Sequence, residues 1–310
     1  MRILRLSTTR VRGLRDGAWS FAPERGGPGH VTVVTGPTGV GLTTFLDAIT
    51  FTAAKLAVGG IVPSAADVLR AGASTAMIRT SFWLDAEERS FGGLVEETAN
   101  AEVVFQQGGL GRADADPALL GVMSRYDHSA RTGKIVAIPA RRFGEGASLA
   151  LGDFEVDQRF SRLSTEPGKF AGIPHALAKH ASGYGERARF AAVQALFREL
   201  CPTAQLVWVE ATGELEFALA SGPHVPLKRL SFSERNAFVL AALPALLSVQ
   251  RSVILLDTPE LGLAPGEAAR WLGVLRNHTS EAQWIVASRD PAVVASVEPA
   301  ARIDLGKGAS

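Results

Sequence analysis

Residues 36 to 44 of this 310-residue chain read Gly-Pro-Thr-Gly-Val-Gly-Leu-Thr-Thr. The run Val31-Thr32-Val33-Val34-Thr35 before them predicts a buried strand, and Phe45, Leu46, Ile49 and Phe51 after them predict a helix over Thr43 to Lys55. A glycine-rich turn from a buried strand into a helix N-terminus restricts the chain to an α/β fold whose loop amides can ring a phosphate. In the pattern GxxxxGK[ST], Gly36 and Gly41 allow the sharp turn. Gly36, Gly39, Gly41, Leu42, Thr43 and Thr44 form the candidate nucleotide-binding stretch, with the Thr43 hydroxyl placed to hold magnesium. Leu42 occupies the lysine position. It has neither charge nor donor, so it cannot supply the mobile cation that such loops direct at the outer phosphates.

With 46% hydrophobic residues, the chain can bury a sizeable core. The longest apolar stretch, Ala237 to Val249, is interrupted by Pro244 and is too short to span a bilayer, and no charged-then-apolar leader opens the sequence. A cytoplasmic protein without a membrane partner is expected. The single Cys201 precludes an internal disulfide, and His175 and His180, five apart, fall on different helix faces, which argues against a metal site built on histidine. Between Gly121 and Phe190, eleven Lys and Arg stand against seven acidic residues, a mild excess that leaves DNA open as a partner despite a net charge of only +1.

Ile3, Leu4 and Leu6, then Val11, Leu14 and Trp19, with turn signals at Gly13 and Asp16-Gly17, predict an N-terminal hairpin. Strand formers follow at Ala76 to Leu84 and Glu102 to Gln107. The segment from Gly108 to about Gly183 is dense in Gly, Pro, Asp and Arg and reads as irregular. Helical spacing returns over Glu186 to Leu200, and two strands, Gln205 to Glu210 and Glu214 to Leu219, turn through Thr212-Gly213. Ser231-Phe232-Ser233-Glu234 is a capping box opening a helix that runs towards Val249. Ser252 to Leu256 and Trp284 to Ala287 are continuously apolar, with a helix over Gly266 to Asn277 between them. Short apolar strands separated by helices imply a mostly parallel sheet covered on both faces. The expected organisation is a single unit over 1–310. Residues 1–115 form an N-terminal lobe with an antiparallel β portion, 116–200 a helical and irregular insertion or lid, and 201–310 a C-terminal lobe.

Taken in order, four segments resemble an ABC-type ATPase head of the RecF and SMC group, which includes standalone bacterial ATPases with a compact lid. The loop at 36–44 corresponds to Walker A and Leu230 to Glu234 to the signature motif. Val253-Ile254-Leu255-Leu256-Asp257 corresponds to Walker B and Ala287 to Pro291 to the histidine switch. Ile138-Pro139-Ala140-Arg141-Arg142 resembles a further segment common in standalone members. The resemblance implies ATP and magnesium as ligands, Thr43 and Asp257 at the metal, and Ser231 and Ser233 against the nucleotide of a facing head. It also implies a protein partner, either a second copy or an active head. No heptad region separates the loop from the signature, so the coiled-coil arm of SMC proteins is missing from this chain.

Each motif departs from the family at the residue that does chemistry. Leu42 replaces the lysine, Thr258 stands at the catalytic glutamate position, Ser233 replaces the signature glycine, and Arg289 takes the switch histidine's place. Glu260 survives two residues past the catalytic position. Losing a charge-assisted hydrogen bond costs about 1.5 to 3 kcal/mol, and losing a positioned base about 10² to 10⁴ in rate. Together they predict a degenerate ATPase, with no catalytic residue assigned, that binds nucleotide weakly or not at all and acts as a scaffold or regulatory subunit. The competing expectation is a working RecF/SMC-like ATPase acting on DNA or in a defence or repair complex.

Overall fold

The computed structural model describes residues 1–21, 30–57, 62–109, 111–125, 133–142, 161–166, 168–220 and 222–307. The strands, in chain order, are β1 (Arg2–Thr9), β2 (Gly17–Ser20), β3 (His30–Thr35), β4 (Thr75–Trp83), β5 (Thr98–Gln106), β6 (Arg112–Ala115), β7 (Ile135–Ile138), β8 (Ala204–Val209), β9 (Glu214–Leu219), β10 (His224–Pro226), β11 (Val253–Asp257), β12 (Gln283–Ala287) and β13 (Arg302–Asp304). They form three sheets: an antiparallel one ordered β2-β1-β4-β5-β6, a small antiparallel one ordered β10-β9-β8, and a central one ordered β13-β3-β12-β11-β7. Every pairing in the central sheet is parallel.

The apolar runs of the central strands are unbroken because alternate residues enter two different cores. Val31, Val33, Val136, Ile254, Leu256 and Trp284 face helices Arg187–Leu200, Phe232–Leu247 and Glu267–His278. Val34, Ile135, Val253, Leu255 and Ile285 face the opposite way, onto helix Leu42–Leu56 and the large antiparallel sheet. That helix is therefore enclosed between two sheets. Trp19 meets Phe45 edge-on at 5.2 Å, and Phe51 meets Phe105 at 6.3 Å. In the first core, Phe197, Phe217 and Phe238 join the small sheet to two helices through edge-on contacts of 5.4 to 6.3 Å.

The N-terminal hairpin, the helix after the glycine loop and the strands at 253–257 and 283–287 fall where the sequence predicts them. Other features add to or depart from that reading, among them the helices Pro117–Ser124 and Ile173–Ala181 within the segment expected to be irregular. β5 begins at Thr98, where small and polar residues weaken the apolar signal at its start. The segment expected to be irregular contains β7, whose four buried residues pair with β11 and form an edge of the central sheet. Helix Phe232–Leu247 runs through the buried Pro244 towards Val249, as the capping box and the apolar stretch predict. The charge excess of the middle segment is also less available than its count suggests: Lys134, Arg142, Arg162 and Lys169 are buried, while Arg131, Arg159 and five of the seven acidic residues lie outside the described residues. Among the described residues no helix is long and apolar enough to cross a membrane, and no cluster of three His, Cys, Asp or Glu could hold a metal. His180 is occupied, its Nδ1 accepting the Glu186 amide at 2.9 Å.

Candidate functional site

The loop after β3 takes the conformation its glycines allow. Gly36 and Gly41 have φ of 152° and 97°, and a Cβ at Gly36 would meet Val40 Cγ1 at 3.0 Å. Such φ values exclude most side chains. Gly41 is the N-cap of helix Leu42–Leu56, and no side chain caps that end. The first-turn amides and the positive end of a 15-residue helix dipole are thus free to meet an anion.

β11 ends beside this loop. The Asp257 carboxylate accepts the Thr43 hydroxyl on Oδ2 at 2.9 Å and the Thr258 hydroxyl on Oδ1, also at 2.9 Å. Thr258 donates its amide to Ala287 O at 2.9 Å and holds φ at 45°, a left-handed value unusual for a β-branched residue. From β12 the chain brings Ser288, whose hydroxyl donates to Glu260 Oε2 at 2.9 Å; the Arg289 amide donates to Glu260 Oε1 at 3.1 Å. Asp257, Thr258, Glu260, Ser288 and Arg289 line one wall of a cavity of about 260 Å³, and Gly39, Gly41, Leu42 and Thr43 line the other.

Most of the residues singled out from sequence therefore converge. Gly36 and Thr44 belong to the loop and its helix but do not line the cavity. Ser231 and Ser233 are also separate from it: Ser231 Oγ accepts the Glu234 amide at 3.3 Å, Glu234 Oε2 accepts the Ser231 amide at 2.7 Å, and the two serine hydroxyls lie 3.1 Å apart. Leu42 contributes to the cavity wall yet is only 7% exposed, packed in the core beneath it.

Two groups near the site are less evident from sequence. Asp47, one turn beyond Thr43, is buried and paired with Arg12 at 2.7 Å. Burial pushes its carboxyl up to about 6, the Asp257 charge adds to the rise, and Arg12 opposes it. An acid within the apolar run Phe45-Leu46-Asp47-Ala48-Ile49 is the signal that could have marked it. Arg142, from the Ile138 to Arg142 segment, is fully buried behind the Asp257 turn.

Neither a family model nor a curated protein matches the chain. Solved structures do. An SMC head bound to the C-winged helix domain of ScpA shares the chain path with a TM-score of 0.63 at 16% identity, over 96% of this chain and 93% of that one. The SMC head domain from Thermotoga maritima gives 0.54 at 16%, over 96% and 93%. An SMC head domain with an extended coiled coil, bound to the C-terminal domain of ScpA derived from Pyrococcus furiosus, gives 0.61 at 15%, over 96% and 92%. The fold is that of an SMC head domain. The glycine loop, the Asp257 strand end and the Arg289 segment thus line one cavity within that fold.

Proposed function

We propose that the chain is a catalytically degenerate ABC-type head that works by associating with another protein, with a weak nucleotide site retained in its loop. The observation that carries this reading is the pairing of Leu42 and Thr258 across one cavity. One lacks the charge that polarises the outer phosphates, and the other offers a hydroxyl, already donated to Asp257, where a base must activate water. What remains suits binding: open amides at a helix N-terminus, and the Thr43 hydroxyl held against a carboxylate. ATP with magnesium fits these groups, phosphates on the loop amides and the metal beside Thr43 and Asp257; the metal would supply charge neutralisation for the outer phosphates.

Partner association draws support from the solved SMC heads, two of which are bound to a part of ScpA. For this chain the partner is proposed as a second copy or an active head, with the exposed Ser231 end of helix Phe232–Leu247 facing the partner's cavity and the partner's corresponding segment facing this one. One observation favours an active ATPase instead: Glu260 is a carboxylate on the cavity wall. Its two oxygens, however, already accept hydrogen bonds from the Ser288 hydroxyl and the Arg289 amide.

Steady-state hydrolysis separates the two readings. The wild-type protein is expected to turn over ATP no faster than Asp257→Ala. Magnesium-dependent turnover that Asp257→Ala abolishes would establish the active enzyme in place of the scaffold.

A further inference from the structure

Arg142 is 0% exposed, and it reaches the end of β11 from four residues beyond β7. Its Nη2 donates to Asp257 O at 3.0 Å and to Thr258 O at 3.4 Å. Its Nε and Nη1 are buried without a hydrogen-bond partner. Idle donors on a buried cation are destabilising unless other charge offsets them. A guanidinium stays charged at neutral pH, and the charges that offset it are carboxylates of the cavity wall, Asp257 and Glu260.

The cavity thus has two carboxylates, Asp257 and Glu260, a leucine in the lysine position, and a fixed guanidinium immediately behind its wall. A polyphosphate entering such a site meets repulsion from the wall unless that charge is balanced. Arg289 lines the wall as well, but its backbone amide is what engages Glu260. Arg142 is the cation held in place by the fold.

We propose that Arg142 is a positioning residue and the internal counter-charge of this site: it fastens the Asp257–Thr258 turn and offsets Asp257 and Glu260, allowing the loop to hold a polyphosphate without a lysine at position 42. The inference rests on the reading of the cavity as a nucleotide site. Arg142 touches no ligand, and it acts through the strand end and its field.

The test is titration of a fluorescent ATP analogue at neutral pH and fixed salt, with thermal unfolding of each variant in parallel. Arg142→Met is expected to weaken binding about tenfold, roughly the size of one partly screened charge interaction. Arg142→Lys, which keeps the charge, should stay within about threefold of wild type, and Arg142→Met combined with Glu260→Gln should return binding to about threefold below wild type. A role confined to holding the turn would not respond to Glu260→Gln. That substitution alone should tighten binding about threefold, because it leaves the guanidinium less offset. A folded Arg142→Met that binds as wild type overturns the inference. If Arg142→Met fails to fold, Glu260→Gln decides, and binding no tighter than wild type overturns the inference equally. Wild-type protein that takes up no analogue removes the nucleotide reading, and the inference with it, whereas binding by wild type with a flat Arg142 series removes the inference alone.

Discussion

At the scale of single residues, Leu42 has two roles that its position in the motif does not reveal. It lines the cavity, and it is also packed in the core shared by helix Leu42–Leu56 and the large antiparallel sheet. Leucine at this position brings an apolar contact to the core and no charge to the cavity. Leu42→Ala is expected to lower stability by about 2 to 4 kcal/mol, as for other buried leucines, while leaving affinity for an ATP analogue within about threefold, because the loop amides are untouched. Gly41→Val should abolish that affinity. At φ 97° a β-branched side chain is strained, and its Cβ would come to 3.4 Å from Leu14 Cα, so the loop can no longer present its amides. Chemical denaturation and calorimetry on both variants check this. Loss of binding in Leu42→Ala with retention in Gly41→Val would mean that the loop does not cradle phosphate.

Among the elements, β12 ties the two large sheets together through one side chain. Gln283 Oε1 accepts the Ile3 amide at 2.7 Å, and its Nε2 donates to Ile3 O at 2.9 Å. The β1–β4 ladder shifts register between Ile3 and Arg5, and the buried amide side chain satisfies the backbone groups of Ile3 there. Gln283→Leu would leave both groups buried and unpaired, and is expected to lower unfolding free energy by about 2 to 4 kcal/mol in urea denaturation. No change would show that water replaces the amide. The strand Val253–Asp257 was legible because burial on both faces leaves its first four residues apolar, and the helix after the loop because Phe45, Leu46, Ile49 and Phe51 recur at helical spacing. β7 was not. A run of only four residues, Ile135 to Ile138, lies in a segment dense in Gly and Arg and carries no periodicity that separates a strand from a turn.

For the whole molecule, the four substituted motif positions belong to two separate places. Leu42, Thr258 and Arg289 line one cavity, whereas Ser233 lies in the capping box of helix Phe232–Leu247, away from that cavity. If catalysis in this fold needs a facing head to close the cavity, repairing one place is not enough. Leu42→Lys with Thr258→Glu is expected to leave ATP turnover near background, and the quadruple variant adding Ser233→Gly and Arg289→His to exceed it by at least about tenfold. Strong activity in the double variant would show that the signature and switch positions remain competent, and would point to a recently silenced enzyme.

The sequence by itself determined the α/β class, the strand, loop and helix at 31–55, and the presence of Leu42 and Thr258 where the resembled motifs carry a lysine and a glutamate. These are local properties, set by apolar runs, glycine conformation and side-chain chemistry. Only the tertiary structure decided that Leu42 is also a core residue, that both oxygens of Asp257 are engaged, and that a fully buried Arg142 stands behind them. These depend on which strands become neighbours. β7 and β11 are separated by more than a hundred residues, and although the run Ile138 to Arg142 stands out in sequence, nothing in either segment says that Arg142 reaches the end of β11.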